Sequence, residues 1–557
     1  MLHTFRSALT VLVLALAACT TTAPRAPITV KLIAFNDFHG QLNPPGFNGG
    51  GVAWLAGRIG QLKAQNPLNA VVAAGDLIGA SSMESALFHD EPSIEALNVA
   101  GLEFTSVGNH EFDHGVAELK RMQAGGCAAD APEKSCHGHP FAGARFQYLA
   151  ANVIDTTTGK PLFPAFAVKT FDLGGGRRLK IGFIGAVLKG VPDMVVPDAV
   201  KTLRFTDEAT AINAAVPALR AQGADLIVLL IHEGGRTSAT AFDDTACPDF
   251  NGGILPILDR LDPAVSIVIS GHTHRTYICR RDGRLITSAG WQGRYLTDVE
   301  LRIDPRSRRL VDASATQIAV TNSTAAVANG SASQNAAVQA IADAYTTAAA
   351  PLAQRPVAEL REDIARAQSP TGESALGDLI ADAELAATAA PANGGAQIAL
   401  MNTSGIRTDL RAQDGHVAYR AISAVHPFGN ALVTLTLTGA QIHELLEEQW
   451  TSAAAVLHAS ENMLQVSEGF TYEWRPDGVP GAKVDPASIR LNGVPIEPTQ
   501  RYRVTANEFL AGGSDGFKVF ASGTDRLRGV LDAEALERYL TAHSPVSAPR
   551  VARIRCK

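Results

Sequence analysis

Five times in the first half of the chain, a short apolar run rich in β-branched residues breaks off at a turn carrying metal-capable side chains. Residues 30–35 run into Asn36-Asp37-Phe38-His39, 70–74 into Gly75-Asp76, and 104–107 into Gly108-Asn109-His110-Glu111-Phe112-Asp113. Residues 226–231 lead into His232-Glu233-Gly234-Gly235, and 266–270 into Gly271-His272-Thr273-His274. Helix-patterned stretches at 93–99 and 209–221 lie between these runs. The pattern predicts an α/β fold with polar groups gathered at the carboxyl ends of strands, where open sheets place their sites. In extended chain, residues i and i+2 face the same side, so Asp37 with His39, and His272 with His274, each present two ligands to one cavity. Carboxylate, imidazole and amide oxygen together suit zinc, manganese or iron better than calcium. One carboxylate can bridge two ions, and a pair of ions about 3.5–4 Å apart clamps the attacking and leaving oxygens of an in-line phosphoryl displacement. Asp76 is the natural bridge.

Within the third turn, His110 stands apart from the ligands. Asn109 is placed to cap the helix that follows, and Asp113, three residues beyond His110, can meet its ring across one turn and hold it as an imidazolium. Glu111 reads as a packing or hydrogen-bonding group, and His114, His137 and His139 as solvated loop residues.

Taken in order, Asp37-x-His39, Gly75-Asp76, Gly108-Asn109-His110-Glu111, His232 and Gly271-His272-x-His274 resemble the calcineurin-like metallophosphoesterase family from residue 29 to about 320. The resemblance implies a two-layered β sandwich flanked by helices and a site for two divalent metal ions, zinc, manganese or similar. By matching position it implies Asp37, His39, Asp76 and His274 at one ion, and Asp76, Asn109, His232 and His272 at the other. It gives His110, steadied by Asp113, a role at the transition state.

The second half begins after a boundary. Residues 321–333 are poor in large apolar side chains, and 335–350 reads as an Ala-rich helix stopped by Pro351. Further on, the patterning predicts helices at 374–387 and 441–450 and strands at 398–401, 432–437 and 501–505. Three loops among them hold groups suited to a nucleotide: Asn402-Thr403-Ser404-Gly405-Ile406-Arg407, His426-Pro427-Phe428-Gly429-Asn430, and Phe509 followed by Gly512-Gly513-Ser514-Asp515-Gly516-Phe517. Phe428 and Phe509 can stack on a base, Asn430 can touch its edge, Asp515 can accept from ribose hydroxyls, and Arg407 can fork onto a phosphate or carboxylate.

These loops resemble the carboxyl-terminal domain of the 5′-nucleotidase family, a smaller α/β nucleotide-binding domain joined to the metal domain by a linking helix. The resemblance gives binding roles to Asn402, Arg407, Phe428, Asn430, Phe509 and Asp515. Ser404 and Ser514 depart from the glycines usual there, and 369–374 lacks a phosphate-side arginine, for which Arg366 or Arg411 could substitute.

The amino terminus carries an address. Arg6 precedes an apolar run, 8–18, that is shorter than the ~20 residues of a spanning helix. The run closes on Leu16-Ala17-Ala18-Cys19, which resembles a bacterial lipobox and implies acylation of Cys19. The expected organisation is a signal peptide (1–18), a lipidated tether (19–28), the metallophosphoesterase domain (29–322), a linker helix (323–354) and the substrate-binding domain (355–557). Membrane contact is then through the lipid, with the protein in the periplasm or cell envelope. Export permits disulfides, and the spacings suggest Cys127 with Cys136 and Cys247 with Cys279, leaving Cys556 over. With 48 Lys+Arg against 55 Asp+Glu, a net charge of −7, there is no basic excess to drive binding to a nucleic-acid polymer. The expected partner is a small nucleotide, hydrolysed to nucleoside and phosphate. A 2′,3′-cyclic-nucleotide 2′-phosphodiesterase/3′-nucleotidase or a UDP-sugar hydrolase would use the same groups. A catalytically inactive nucleotide-binding surface protein would not need all seven ligand residues.

Overall fold

A computed structural model describes residues 26–44, 49–129, 134–451 and 462–557. The expected signal peptide and Cys19 lie outside the described residues. Among those described, no helix is long and apolar enough to cross a membrane.

Two six-stranded sheets form the amino-terminal half. In one, the order is Leu310–Ala319, Tyr295–Ile303, Ile28–Phe35, Asn69–Ala74, Phe104–Ser106, Gln147–Leu149; in the other it is Thr276–Arg281, Arg284–Ala289, Val265–Ser270, Leu226–His232, Arg178–Val187, Phe166–Asp172. Their central strands are buried on both faces, and the alternation along each strand divides its side chains between two cores. Val30, Leu32 and Ala34 meet Ile181, Phe183, Val228, Leu230 and Ile267 from the other sheet. The intervening Ile33 and Phe35 face the helices Val52–Gln65 and Glu91–Ala100, and Ile227, Leu229 and Ile231 face Glu208–Ala221. The result is a β sandwich with helices on its outer faces. Truncating one of its fully buried aliphatic residues to Ala would cost about 2–5 kcal/mol.

The strands Ile28–Phe35, Asn69–Ala74 and Phe104–Ser106 pair parallel, as do Leu226–His232 and Val265–Ser270. Parallel pairing brings their carboxyl ends, and the five polar turns, to one end of the sandwich.

The helix Ala336–Ala353 runs through Pro351, which the sequence reading had as its stop. Pro351 lies in the last turn, where the helix closes two residues later and few ladder bonds remain to be lost. Val338, Ala342, Tyr345 and Ala349 of this helix pack into the core of the metal domain. Beyond it, a five-stranded sheet, in the order Gln465–Val466, Ile398–Met401, Arg501–Asn507, Ala431–Thr438, Thr524–Leu531, lies between the helices Ala375–Thr388 and Gly439–Thr451. Disulfides join Cys127 to Cys136 and Cys247 to Cys279, and Cys556 is free and exposed. His137 and His139 are exposed loop residues, as expected, with the His137 ring beside Phe88 at 5.0 Å and His139 2.7 Å from Glu95.

Candidate active site

The five turns converge. His232, at the end of its strand, sends Nδ1 across to Ala74 O of the other sheet at 2.7 Å, and the His272 amide donates to both carboxylate oxygens of Asp37 at 3.1 and 3.0 Å. Asp37, His39, Asp76, His272 and His274 all take positive φ, between 48° and 72°. Left-handed backbone at a non-glycine residue costs of order 1 kcal/mol or more and persists only where the surroundings impose it, so this concentration makes the cluster a candidate functional centre.

Hydrogen bonds to backbone carbonyls set the histidine tautomers. His39 Nδ1 lies 2.8 Å from Gly79 O and His232 Nδ1 2.7 Å from Ala74 O; a carbonyl only accepts, so each Nδ1 carries a proton and each Nε2 is left to take a proton or a cation. Those Nε2 atoms face other polar atoms of the cluster. His232 Nε2 is 3.0 Å from Asp76 Oδ2 and 3.2 Å from Asn109 Oδ1, and His39 Nε2 is 3.8 Å from Asp76 Oδ2 and 3.1 Å from His274 Nε2. His274 Nε2 also stands 3.3 Å from Asp37 Oδ1, and His272 Nδ1 3.1 Å from Asn109 Oδ1. A buried cluster of imidazole, carboxylate and amide groups this close is held together by shared protons or by a cation. Ligand atoms of Asp37, His39 and His274, and of Asp37, Asp76 and His232, lie close enough together to surround one. All seven residues read from the sequence as ligands are therefore brought together.

The electrostatics agree. Burial brings His39 and His272 down to about 3, so both are neutral imidazoles, the form that binds metal. Burial also acts downward on His232, but the Asp76 carboxylate outweighs it and lifts the ring to about 10. The field that would hold a proton there is the field that would hold a metal ion.

Asn109 does not cap the following turn, as its position suggested; its side-chain oxygen is committed to His232 and His272. Glu111 accepts from the amides of Asp76, Leu77 and Gly108 at 2.9, 2.7 and 2.5 Å, tying two ligand turns together. His110 Nδ1 is 2.8 Å from Asp113 Oδ2, and its own amide donates to Asp76 Oδ1 at 2.9 Å. Burial opposes charge on the His110 ring, but Asp113 and Asp76 prevail and raise its pKa above the ordinary value.

A cavity of about 830 Å³ opens over this centre, lined from the metal domain by Asn109, His110, His272 and His274 and from the second domain by Asn402, Arg407, Phe428, Asn430, Phe509 and Asp515. All six residues expected to bind substrate thus share one cleft with the cluster of candidate ligands. The Phe428 ring stacks on His110 at 5.6 Å and 18°, with the Arg407 guanidinium 5.6 Å from the same ring. Asp515 Oδ2 accepts from Asn402 Nδ2 at 3.0 Å and from Ser404 Oγ. The two serines that depart from glycine are both used, since Ser514 Oγ reaches across the domains to Val195 O at 3.0 Å. Of the two arginines left open by the sequence, Arg366 lines the cleft, and with burial it lowers the pKa of Arg407. Arg411 instead pairs with Asp409 at 2.9 Å.

Sequence reasoning missed Trp291. It lines the cleft and stacks on His274 at 5.0 Å and 13°. The signal was present: Arg284–Ala289 is a sixth strand ending in a turn, Gly290-Trp291-Gln292, whose backbone bonds Asn36 and Asp37. Only the lack of a ligating side chain hid it.

Comparison with known proteins gives the same architecture. Residues 30–276 match the calcineurin-like phosphoesterase family and 351–522 the 5′-nucleotidase, C-terminal domain. The chain is 29% identical over 548 residues to Endonuclease YhcR of Bacillus subtilis, covering 96% of this chain and 41% of that protein. It is 30% identical over 537 residues to cell wall protein Lmo0130 of Listeria monocytogenes, covering 90% and 65% respectively. It thus spans less than two thirds of either relative. The solved 5′-nucleotidase precursor of Thermus thermophilus superposes with a TM-score of 0.74 at 25% identity, covering 95% of this chain and 99% of that one. With both matches falling on the two halves that carry the cleft, the chain belongs to the 5′-nucleotidase family, a calcineurin-like phosphoesterase domain followed by a 5′-nucleotidase C-terminal domain.

Proposed function

We propose that this protein is an exported phosphohydrolase that uses two divalent metal ions to release phosphate from nucleotides, with 5′-monophosphates as the substrate the site suits best. The observation that carries the reading is the convergence of imidazoles, oriented by backbone carbonyls, with buried carboxylate and amide oxygens beneath a cleft lined with arginine and phenylalanine. Asp37, His39, Asp76 and His274 would hold one ion and Asp76, Asn109, His232 and His272 the other. Such a pair polarises phosphoryl oxygens and activates water for in-line attack.

The remaining steps belong to the chain. Arg407, with Arg366 beside it, receives the phosphoryl oxygens. His110 keeps Nδ1 on Asp113, leaving Nε2–H to stabilise charge on the phosphoryl group and to protonate the ester oxygen as its bond to phosphorus breaks and the bond from water forms. Phe428 and Phe509 face the base, Asn430 its edge, and Asp515, steadied by Asn402, the ribose hydroxyls. Support for export comes from the signal-like amino terminus and the two disulfides. A lipid on Cys19 would hold the enzyme at the cell envelope.

The test is phosphate release by a soluble form beginning at Thr20, stripped of metal and resupplied with Mn²⁺ or Zn²⁺. The substrates are 5′-AMP, 3′-AMP, 2′,3′-cyclic AMP and a UDP-sugar, the last two coupled to a phosphatase. Metal-dependent turnover of 5′-AMP above the others is expected. Preference for the cyclic nucleotide or the UDP-sugar would reassign the substrate, and no turnover with both ions bound would overturn the hydrolase reading in favour of an inactive nucleotide-binding protein.

A further inference from the structure

Behind the loop that carries Phe428 and Asn430 lies a buried group of titratable side chains that the proposed reaction does not use. His426 and Asp532 face each other with Nδ1 and Oδ2 3.7 Å apart, their side chains 0% and 1% exposed. Glu384, on the helix Ala375–Thr388, is buried nearby. Among the described residues, no hydrogen-bonding group reaches either ring nitrogen of His426, Oδ2 of Asp532 or either carboxylate oxygen of Glu384. Asp532 also fastens the loop, because its amide donates to Asn430 O at 2.8 Å.

We propose that Asp532 and His426 hold one proton between them, and that this proton keeps loop 426–430 in the shape that presents Phe428 and Asn430 to the cleft. A buried carboxylate facing a neutral imidazole has no compensating charge, whereas one proton neutralises the pair whichever atom carries it. The other groups around Asp532 do not supply that charge. Glu384 and Glu508 are acids, Tyr419 is neutral, and Arg528 is engaged with Glu508 at 3.4 Å. Glu508 in turn accepts from the Ala431 amide at 3.0 Å, so the acids bracket the end of the loop. Because the pair touches the loop at 426 and again at 430, an ionised Asp532 drawn towards water disturbs both ends of the segment bearing the aromatic ring. The two residues are positioning residues, and their proton sets KM rather than kcat.

Burial pushes Asp532 up to about 7 and His426 down to about 4, and holds Glu384 well above the carboxylate range. The proton is therefore present in mildly acidic solution and lost as pH rises through neutrality.

The inference rests on the reading of Phe428 and Asn430 as nucleotide contacts, so its test has one arm with substrate and one without. KM and kcat for 5′-AMP are measured from pH 5.5 to 9 on the metal-loaded enzyme, its Asp532→Asn variant and its Glu384→Gln variant. Amide exchange of 421–431, corrected for the intrinsic rate at each pH, is followed without substrate. Wild-type KM should rise about three- to tenfold through pH 7, one pH unit of linkage being tenfold. Asp532→Asn should flatten that step, and Glu384→Gln should keep it. The substrate phosphate itself titrates near pH 6, so the contrast between variants, not the wild-type curve alone, identifies the group. Protection of 421–431 should fall above pH 7 in wild type and hold in Asp532→Asn. An equal KM step in Asp532→Asn, loss of the step in Glu384→Gln, or pH-independent protection in wild type would overturn the inference. Should 5′-AMP not be turned over at all, the functional reading fails while the exchange arm still decides the role of the proton. If Asp532→Asn does not fold, the wild-type exchange profile decides it.

Discussion

Gly271→Ala tests the site by volume alone, without removing a ligand. Gly271 lies between the strand Val265–Ser270 and His272, where an added Cβ would stand 2.7 Å from Ala74 O, 2.9 Å from Asp37 Oδ2 and 3.1 Å from His232 Nδ1. Ordinary contact begins at 3.4 Å, so the three approaches are short by about 0.7, 0.5 and 0.3 Å. None can give way cheaply: Ala74 O is backbone bonded to His232 Nδ1, and Asp37 is held by the His272 amide. The turn must open by roughly half an ångström, and since a 1 Å misplacement can cost about 10²-fold, kcat/KM should fall about tenfold. Overpacking of this kind costs about 1–3 kcal/mol in stability. The assay is kcat/KM on 5′-AMP, with metal per chain by mass spectrometry and unfolding by calorimetry. Gly60→Ala is the control: it lies in the helix Val52–Gln65 with nothing within 4 Å of the added carbon and should stabilise by up to about 1 kcal/mol. Wild-type kcat/KM, metal content and stability in Gly271→Ala would refute the geometry.

His110→Asn should lower kcat by about 10²–10⁴-fold with both ions retained, because the ring acts on substrate and not on metal; unchanged kcat would remove it from the reaction. Phe428→Ala should chiefly raise KM, in line with the ~1–3 kcal/mol of a stacked base, and a pure kcat effect would contradict the clamp. Arg366→Ala should weaken phosphate binding while Arg411→Ala, salt-bridged to Asp409, should not; competition by inorganic phosphate separates them. Asp378 gives the pH dependence of stability. Burial, with Glu373 beside it, pushes its carboxyl up to about 9, so the folded state keeps a proton that the unfolded chain loses near 3.8. Its stabilising contribution is complete below pH 3.8 and drains away up to about pH 9, at about 1.4 kcal/mol per pH unit. Asp378→Asn should remove that slope in urea unfolding at pH 6, 7 and 8, and an unchanged slope would assign the proton elsewhere.

The convergence of the candidate ligand residues was legible because its information is local. A run of β-branched residues ending in Asp-x-His or His-x-His states where a strand stops and which side chains share a side, and parallel pairing in each sheet carries five such ends to one place. The contact of His110 with Asp113 was legible for the same reason, as a spacing of three residues across one turn. Where a local rule met a stronger long-range partner, it failed. Asn109 had a cap to make, but two imidazoles from the opposite sheet claim its oxygen.

Sequence alone determined the chemistry of this protein: which side chains can bind metal, which rings and guanidinium groups can meet a nucleotide, and their order along the chain. Tertiary structure decided what those groups do to one another. It put Arg366 on the cleft wall and Arg411 on Asp409, placed Trp291 on His274, oriented His39 and His232 through carbonyls far away in the chain, and buried His426 opposite Asp532. The division has a physical cause. Residue identity and period are properties of neighbours in the chain, whereas protonation, orientation and partner choice depend on burial and on groups that only the folded sheets and docked domains bring within a few ångströms.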